Sequence, residues 1–343
     1  MTTNGDDAVK VVPVRHAGQW VGAGFALIFI AMLVHTLFSK VPTGSVICHT
    51  VNGVRSCRPE VAWRFSWNVV GQYFTTSPVL QGLVRTLELT VLSMVIGIVL
   101  GVVIAVMRLS TNRLLSSTAW SYTWFFRGTP VFVQLFFWLY IALLYPTFSI
   151  GLPFFHFIPF THIAFWHFDA NSVFTPFSAA VVALGLNEAA YMSEIARSGL
   201  IAVDEGQIEA ATSLGMTHGQ TLRLVVLPQA MRVIIPPTGN EVISMLKTSS
   251  LASAIGVTEL IGTATNIYSA NYKIMPLLIV ASLWYLIVTT ILSVGQFYLE
   301  RHFSKGALRT PPPTPIQRLT RDARGILMKF RTRRGVPANS VAS

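Results

Sequence analysis

The sequence predicts an all-α integral membrane protein with about six transmembrane helices, on three observations. Only 11% of its 343 residues are charged and 52% are hydrophobic, with a mean hydropathy of +0.57, whereas soluble domains are about a quarter charged. Charge-poor runs of about 18 residues or more recur, each able to cross a hydrocarbon core of about 30 Å as a helix. The net charge of +11 is unevenly placed: ten of the 25 Lys and Arg residues lie between Arg301 and Arg334. That basic end fits either a cytoplasmic tail resting on lipid or a nucleic-acid footprint, and the charge-poor body favours the membrane and no nucleic acid.

Residues 1–20 form a polar N-terminal tail with Lys10 and Arg15. The run 21–38 reads as an uncleaved anchor, because no small-x-small cleavage pattern follows it. A loop over 39–82 holds the two cysteines, Cys48 and Cys57. Further spans are expected at 86–107, 130–148, 176–198, 229–262 and 275–299. Pro228, Pro236 and Pro237 are expected to break the fifth, which also contains Glu241 and Lys247. The main membrane domain is then 83–300, and 301–343 is a basic tail with a stiff proline spacer at 310–315.

With an even number of spans both termini share a side. Placing the cytoplasm at 1–20, 108–127, 197–232 and 301–343 collects 18 of the 25 basic residues, so both termini are expected inside. Cys48 and Cys57 then face the oxidising exterior, as a disulfide or as two free thiols. The external loop residues His156, His162 and His167 show no metal-ligand spacing, so no metal is expected. Trp120, Tyr122, Trp124, Phe125 and Phe126 cluster at a predicted boundary and read as an interfacial aromatic belt.

The segment 202–228 is too polar to be explained by spanning a bilayer. Asp204 with Gln207, and Thr217 with Gln220, match the pattern in which a short side chain and a Gln three residues later cap a helix start. Gly215 can take the left-handed turn that ends the first helix, and Pro228 is expected to close the second. Two short helices follow. Ordering them costs entropy that a bare connector avoids, so they are expected either to dock on a partner or to lie as an amphipathic loop on the surface.

Glu209-Ala210-Ala211, Gly215 and Leu227-Pro228 resemble the cytoplasmic EAA signature of ATP-binding-cassette importer permeases. Residues 126–134 (FRGTPVFVQ), 187–195 (NEAAYMSEI) and 227–232 (LPQAMR) are similar to the polar amino acid group of that family, which takes up histidine, glutamine and arginine. The resemblance covers about residues 76–303. Two features depart from it: the extra N-terminal span with its Cys loop, and residues 247–251 (KTSSL), where the family often has Lys-Asp-Thr-Ser-Leu.

The resemblance implies the transmembrane-domain fold of a type I ABC importer. It implies that the 202–228 segment couples to a separate ATP-binding cassette subunit through Glu209, Ala210, Ala211, Gly215, Leu227 and Pro228. The residue types suit that role, since small side chains let a helix enter a cleft and Glu209 offers charge at its rim. It also implies a second permease subunit, identical or homologous, and an extracytoplasmic solute-binding protein. No Gly-x-x-x-x-Gly-Lys-Ser/Thr loop is present; Lys247-Thr248 follows Leu246, so ATP and Mg are assigned to the partner and no cofactor to this chain.

Polar groups at membrane depth are costly and read as functional. Asn187, Glu188, Tyr191 and Glu194 lie in the fourth span, with Glu188 and Tyr191 on one face. Glu188 suits an ammonium, and Arg127 or Lys247 a carboxylate. Each also has a structural reading: Glu188 paired to a neighbouring helix, Glu194 at the interface, Arg127 as a positive-inside anchor before a Pro-started helix. The competing function is an ATP-independent secondary transporter or channel, against which the sequence shows no internal repeat.

Overall fold

The structure is a computed structural model that describes residues 17–51, 54–63, 65–151 and 164–303, with side chains described outside 17–23, 41–64 and 148–168. Its core is helical, as expected. Helix α1 (Ala17–Phe38) leads into a hairpin of β1 (Lys40–Val51) and β2 (Val54–Trp63), then α2 (Trp67–Phe74) and α3 (Ser77–Arg108). Next come α4 (Arg113–Gly128), the short α5 (Val131–Leu139) and α6 (Ile141–Leu144), and a second hairpin of β3 (Thr147–Gly151) and β4 (Ala164–Asp169). The one-turn α7 (Ala170–Val173) precedes α8 (Pro176–Ile201), α9 (Glu205–Ser213), α10 (His218–Thr221), α11 (Leu227–Thr248), α12 (Leu260–Asn271) and α13 (Ile274–Phe303).

The two hairpins add strands to loops that the sequence left without regular structure. In the first, antiparallel pairing sets Cys48 opposite Cys57 and ends at Val51 opposite Val54. In the second, Thr147 pairs with Asp169. His156 and His162 lie outside the described residues.

Helix α3 has 32 residues and α13 has 30, so at about 1.5 Å per residue each exceeds a bilayer core of about 30 Å. The helix expected from residue 86 begins at Ser77, with Pro78 in its first turn where a missing N–H costs nothing.

Helix α3 has a fine-grained reason for its place. Ser93, Gly97, Gly101 and Ala105 recur every fourth residue on its buried face, while Val91, Val95, Val99 and Val103 stand exposed on the other. Small residues at this spacing let two helices approach closely in a membrane, and α8 is the helix that does so. A Cβ at Gly97 would sit 2.5 Å from Glu188 Cγ, and one at Gly101 2.5 Å from Met192 Cβ. Leu89, Leu135, Leu184, Met192 and Met245 fill the adjoining core between α3, α5, α8 and α11.

A second core joins α2, α3, α12 and α13 around Val79, Leu260, Leu277 and Val280. At its centre the fully buried Glu259 caps α12. Its Oε1 accepts the Gly262 N–H at 2.7 Å; its Oε2 accepts from Ile261 N at 2.9 Å, Tyr285 OH at 3.1 Å and Thr86 Oγ1 at 3.3 Å. A buried carboxylate is tolerable only with such a donor set.

Two expected spans and one expected break change. The third span is not one helix over 130–148: it is helical as α5 and α6 with a break at Tyr140, ending at Leu144, and α4 before it is a separate helix. The fifth span does not run from 229 to 262. Helix α11 ends at Thr248, a 3-10 turn covers Ser249–Ile255, Gly256 turns the chain at φ +89°, and α12 starts a new direction. Pro236 and Pro237 do not break α11, which runs through both. The prolines free the carbonyls four residues back, at Arg232 and Val233, and α13 braces the same stretch of helix, where the Gln296 amide donates to Pro236 O at 3.2 Å and Asn240 Oδ1 at 3.1 Å.

Candidate functional site

The long helices enclose a cavity of about 600 Å³ between the α4–α5 corner, α8 and α11. The corner is Arg127-Gly128-Thr129-Pro130, where α4 stops and α5 starts. It is pinned to α8 by a polar knot: Asn187 Nδ2 donates to Phe126 O at 2.9 Å and to Gln134 Oε1 at 3.3 Å. The buried Gln134 Nε2 in turn donates to Phe126 O, Thr129 O and Thr129 Oγ1. Asn187 thus lines the cavity and fixes its corner, a structural task added to the one expected of it.

Glu188 and Tyr191 project from α8 on the same side, as the i, i+3 spacing requires. Glu188 is 4% exposed, its stem lodged in the space that Gly97 leaves open, and its Oε1 has no hydrogen-bond partner among the described residues. Arg127 lies over the Tyr191 ring at 5.3 Å, a cation–π contact that holds the guanidinium at the cavity wall. The cavity therefore carries both signs of charge within the helical core.

Four of the six expected pathway residues, Arg127, Asn187, Glu188 and Tyr191, meet here. Two do not. Lys247 is exposed and does not line the cavity. Glu194 lies one turn beyond Tyr191 as the hub of an ion cluster: Arg108 Nη1 of α3 is at 2.7 Å, Arg197 Nη2 at 3.0 Å and Arg127 Nη1 at 4.0 Å. Arg108 also donates to Thr123 Oγ1 at 2.8 Å, so the cluster ties the ends of α3, α4 and α8.

Glu241, Ser244 and Thr248 of α11 complete the cavity wall and are absent from the expected pathway residues. With Met245 they form the i, i+3, i+4, i+7 stripe of a helix face. An acidic residue on a polar helical stripe inside an apolar span was the signal available for them.

The 202–228 segment forms the second candidate site. Asp204 caps α9 by accepting the Gly206 N–H at 2.9 Å, and Thr217 with Gln220 makes the full reciprocal capping box. Gly215 adopts φ +78°, and Gly215 N–H to Thr212 O at 2.9 Å with Met216 N–H to Ala211 O at 3.2 Å closes the helix in a Schellman turn. Ala211 is buried, whereas Glu209, Ala210 and Gly215 are exposed beside the exposed Ile208 and Leu214. The exposed Leu227 and Pro228 lie at the base.

Pro228 does not close the second short helix. From His218 the backbone stays helical through a π-helical stretch at Leu222–Val226 directly into α11. The π turn leaves Pro228 in the first turn of α11, where its missing N–H is harmless. A small core of Val203, Val226 and Ala230 seats this rod against the end of α8. Of the aromatic residues in α4, Trp120, Trp124 and Phe125 are exposed, but Tyr122 donates from its hydroxyl to Leu186 O at 2.7 Å and packs inward rather than in a belt.

Residues 97–305 match the family described as binding-protein-dependent transport system inner membrane component. The chain is 41% identical over 93% of its length, and 90% of the relative's, to the arginine transport system permease protein of Corynebacterium glutamicum. It is 37% identical to the nopaline transport system permease protein of Agrobacterium fabrum, over 68% of this chain and 92% of that one. Among solved structures, the crystal structure of an amino acid ABC transporter with histidines aligns with a TM-score of 0.57 and 35% identity, over 68% of this chain and 98% of that one.

Proposed function

Because the chain belongs to the family of binding-protein-dependent transport system inner membrane components, as a membrane-embedded permease subunit of an ABC amino acid transporter, we propose that it carries a polar amino acid into the cytoplasm by alternating access. The observation that carries the reading is the cavity of about 600 Å³ with Glu188 on one wall and Arg127 on another. An amino acid brings an ammonium and a carboxylate that both need partners away from water.

The drive comes from a separate ATP-binding cassette subunit, which holds ATP and Mg; this chain binds no cofactor or metal. The exposed α9 face around Glu209, Ala210 and Gly215, with Leu227 and Pro228 at its base, seats on that subunit. The α10–α11 rod supports a direct transmission: Glu241 lies 13 residues beyond Pro228 on the same helix, about 20 Å at 1.5 Å per residue. A push at α9 and α10 therefore reaches a wall of the cavity along one continuous helical path. Two permease subunits, identical or homologous, pair within surrounding lipid, and a solute-binding protein delivers cargo from outside. Both termini and α9–α10 face the cytoplasm, and both hairpins face out, in keeping with the basic-residue distribution.

Reconstituting the permease with its cassette and binding protein in proteoliposomes tests this. Amino acid uptake should require ATP and stop without the cassette; uptake driven by an ion gradient alone would establish the ATP-independent transporter instead.

A further inference from the structure

The corner between α12 and α13 carries a residue that the fold alone does not explain. Tyr272 is the one non-glycine residue with positive φ among the described residues, at +58°, and it is 85% exposed. That conformation is strained for a bulky side chain, and glycine would close α12 without the strain. Burial of the ring does not offset it, because the ring stands in the open.

The corner is nonetheless fixed. Tyr272 N–H donates to Tyr268 O at 2.7 Å, Lys273 N–H to Asn271 Oδ1 at 2.9 Å, and Asn271 Nδ2 to Tyr73 OH of α2 at 3.4 Å. Trp284 of α13 stacks on Phe74 of α2 at 4.8 Å and braces the same end. Strained backbone over-determined by its surroundings clusters at recognition sites. A rigidly held, exposed tyrosine is the residue type that anchors protein interfaces.

A groove of about 360 Å³ lies between α3 and α12, with the exposed Gln81, Arg85 and Asn266 on its walls. The two helices meet closely at its base, where a Cβ on Gly82 would lie 2.6 Å from Thr263 Oγ1. Arg85 pairs with Glu88 at 2.9 Å, but the pair is exposed and therefore weak, which leaves the guanidinium able to take another acceptor. With Arg108 at the inner boundary, the 32 residues of α3 reach about 48 Å against a bilayer core of about 30 Å. Its first turns, with Gln81 and Arg85, thus stand at or beyond the outer boundary.

The occupant follows from the side and the chemistry. Helix α11 leaves the cytoplasm and α13 returns to it, so the corner between α12 and α13 faces out. A pairing face for a second permease copy is expected to be apolar, whereas one ring here is surrounded by donors and the cations Lys273 and Arg85. The family is dependent on a binding protein. We propose that the α12–α13 corner and the α3–α12 groove form the docking surface for the solute-binding protein. Tyr272 enters an apolar pocket of that protein, Lys273 meets an acidic rim, and Arg85 and Asn266 donate to a projecting carboxylate or carbonyl. This rests on the binding-protein-dependent reading and on the orientation given above.

Tyr272→Gly is the deciding variant, because it removes the ring and relieves the backbone together. Affinity of the solute-binding protein for the assembled permease–cassette complex in nanodiscs is measured by surface plasmon resonance, alongside the Tm of the complex. Affinity should fall about tenfold or more while Tm holds or rises, and Tyr272→Phe should stay within about threefold of the wild type. Lys273→Glu should slow association and flatten its salt dependence. Asn266→Trp, which fills the groove and leaves the corner alone, should weaken binding independently.

Unchanged affinity in Tyr272→Gly, beside a wild type that binds, would overturn the docking assignment and leave the transport reading standing. So would a fall in Tm or separation of the permease pair in that variant, either of which makes the ring part of the assembly's own structure. A wild-type complex that does not bind the solute-binding protein at all would remove the binding-protein-dependent reading as well.

Discussion

Replacing Gly97 by alanine tests whether the α3–α8 contact sets the cavity. The added Cβ would lie 2.5 Å from Glu188 Cγ and 2.8 Å from Glu188 Cβ, whereas carbon atoms rest about 3.5–4.0 Å apart. Either the two helices part by about 1 Å or the Glu188 stem swings toward the cavity. Overpacking of this kind costs about 1–3 kcal/mol. Alanine also removes glycine's helical penalty of about 1 kcal/mol, which works in the opposite direction. Gly295→Ala in α13 isolates that second effect, because nothing lies within 4 Å of a Cβ there. The difference between the two variants is the steric cost, and at about 2–4 °C per kcal/mol it should place the Tm of Gly97→Ala several degrees below that of Gly295→Ala. Thermal unfolding of the purified complex, followed by amino acid binding, reads both consequences. Equal Tm values and unchanged cargo affinity would refute the close approach of α3 to Glu188.

Gly215→Arg should uncouple ATP hydrolysis from uptake, while Gly215→Ala, bearing the same backbone strain of about 1–2 kcal/mol without the bulk, should keep most of the coupling; cassette ATPase with and without cargo distinguishes them. Glu194→Gln should destabilise the complex by about 1.5–3 kcal/mol, because Arg108, only 17% exposed, loses its charged acceptor; an unchanged denaturation midpoint would show that the cluster contributes nothing. Cys48 and Cys57, opposite one another in the hairpin, should form a disulfide stabilising the hairpin by about 2–3 kcal/mol for so short a loop, seen as a mobility shift on reduction that Cys48→Ser abolishes.

The helical membrane core was legible because hydropathy acts over each span separately, and a run of apolar side chains needs no partner to reveal itself. The 202–228 segment was legible for a related reason. Asp204, Thr217, Gln220 and Gly215 satisfy or turn backbone groups within five residues of themselves, so their spacing already contains the geometry. The prolines misled because their cost depends on what packs around the helix: α13 braces the same stretch through Gln296, 60 residues beyond Pro236, a contact that no local reading contains.

The amino-acid order by itself determined that this chain crosses a membrane, where the 202–228 segment folds into short helices, and that acids and bases lie at costly depth. Tertiary structure decided which of those charges meet. Helix rotation turns Glu188 and Glu241 toward one cavity, sends Glu194 to Arg108 and Arg197, and leaves Lys247 outside. Such pairings join residues dozens of positions apart and are fixed by how closely helices pack. Here that distance is set by side chains that are missing, at Gly97 and Gly101, as much as by those present.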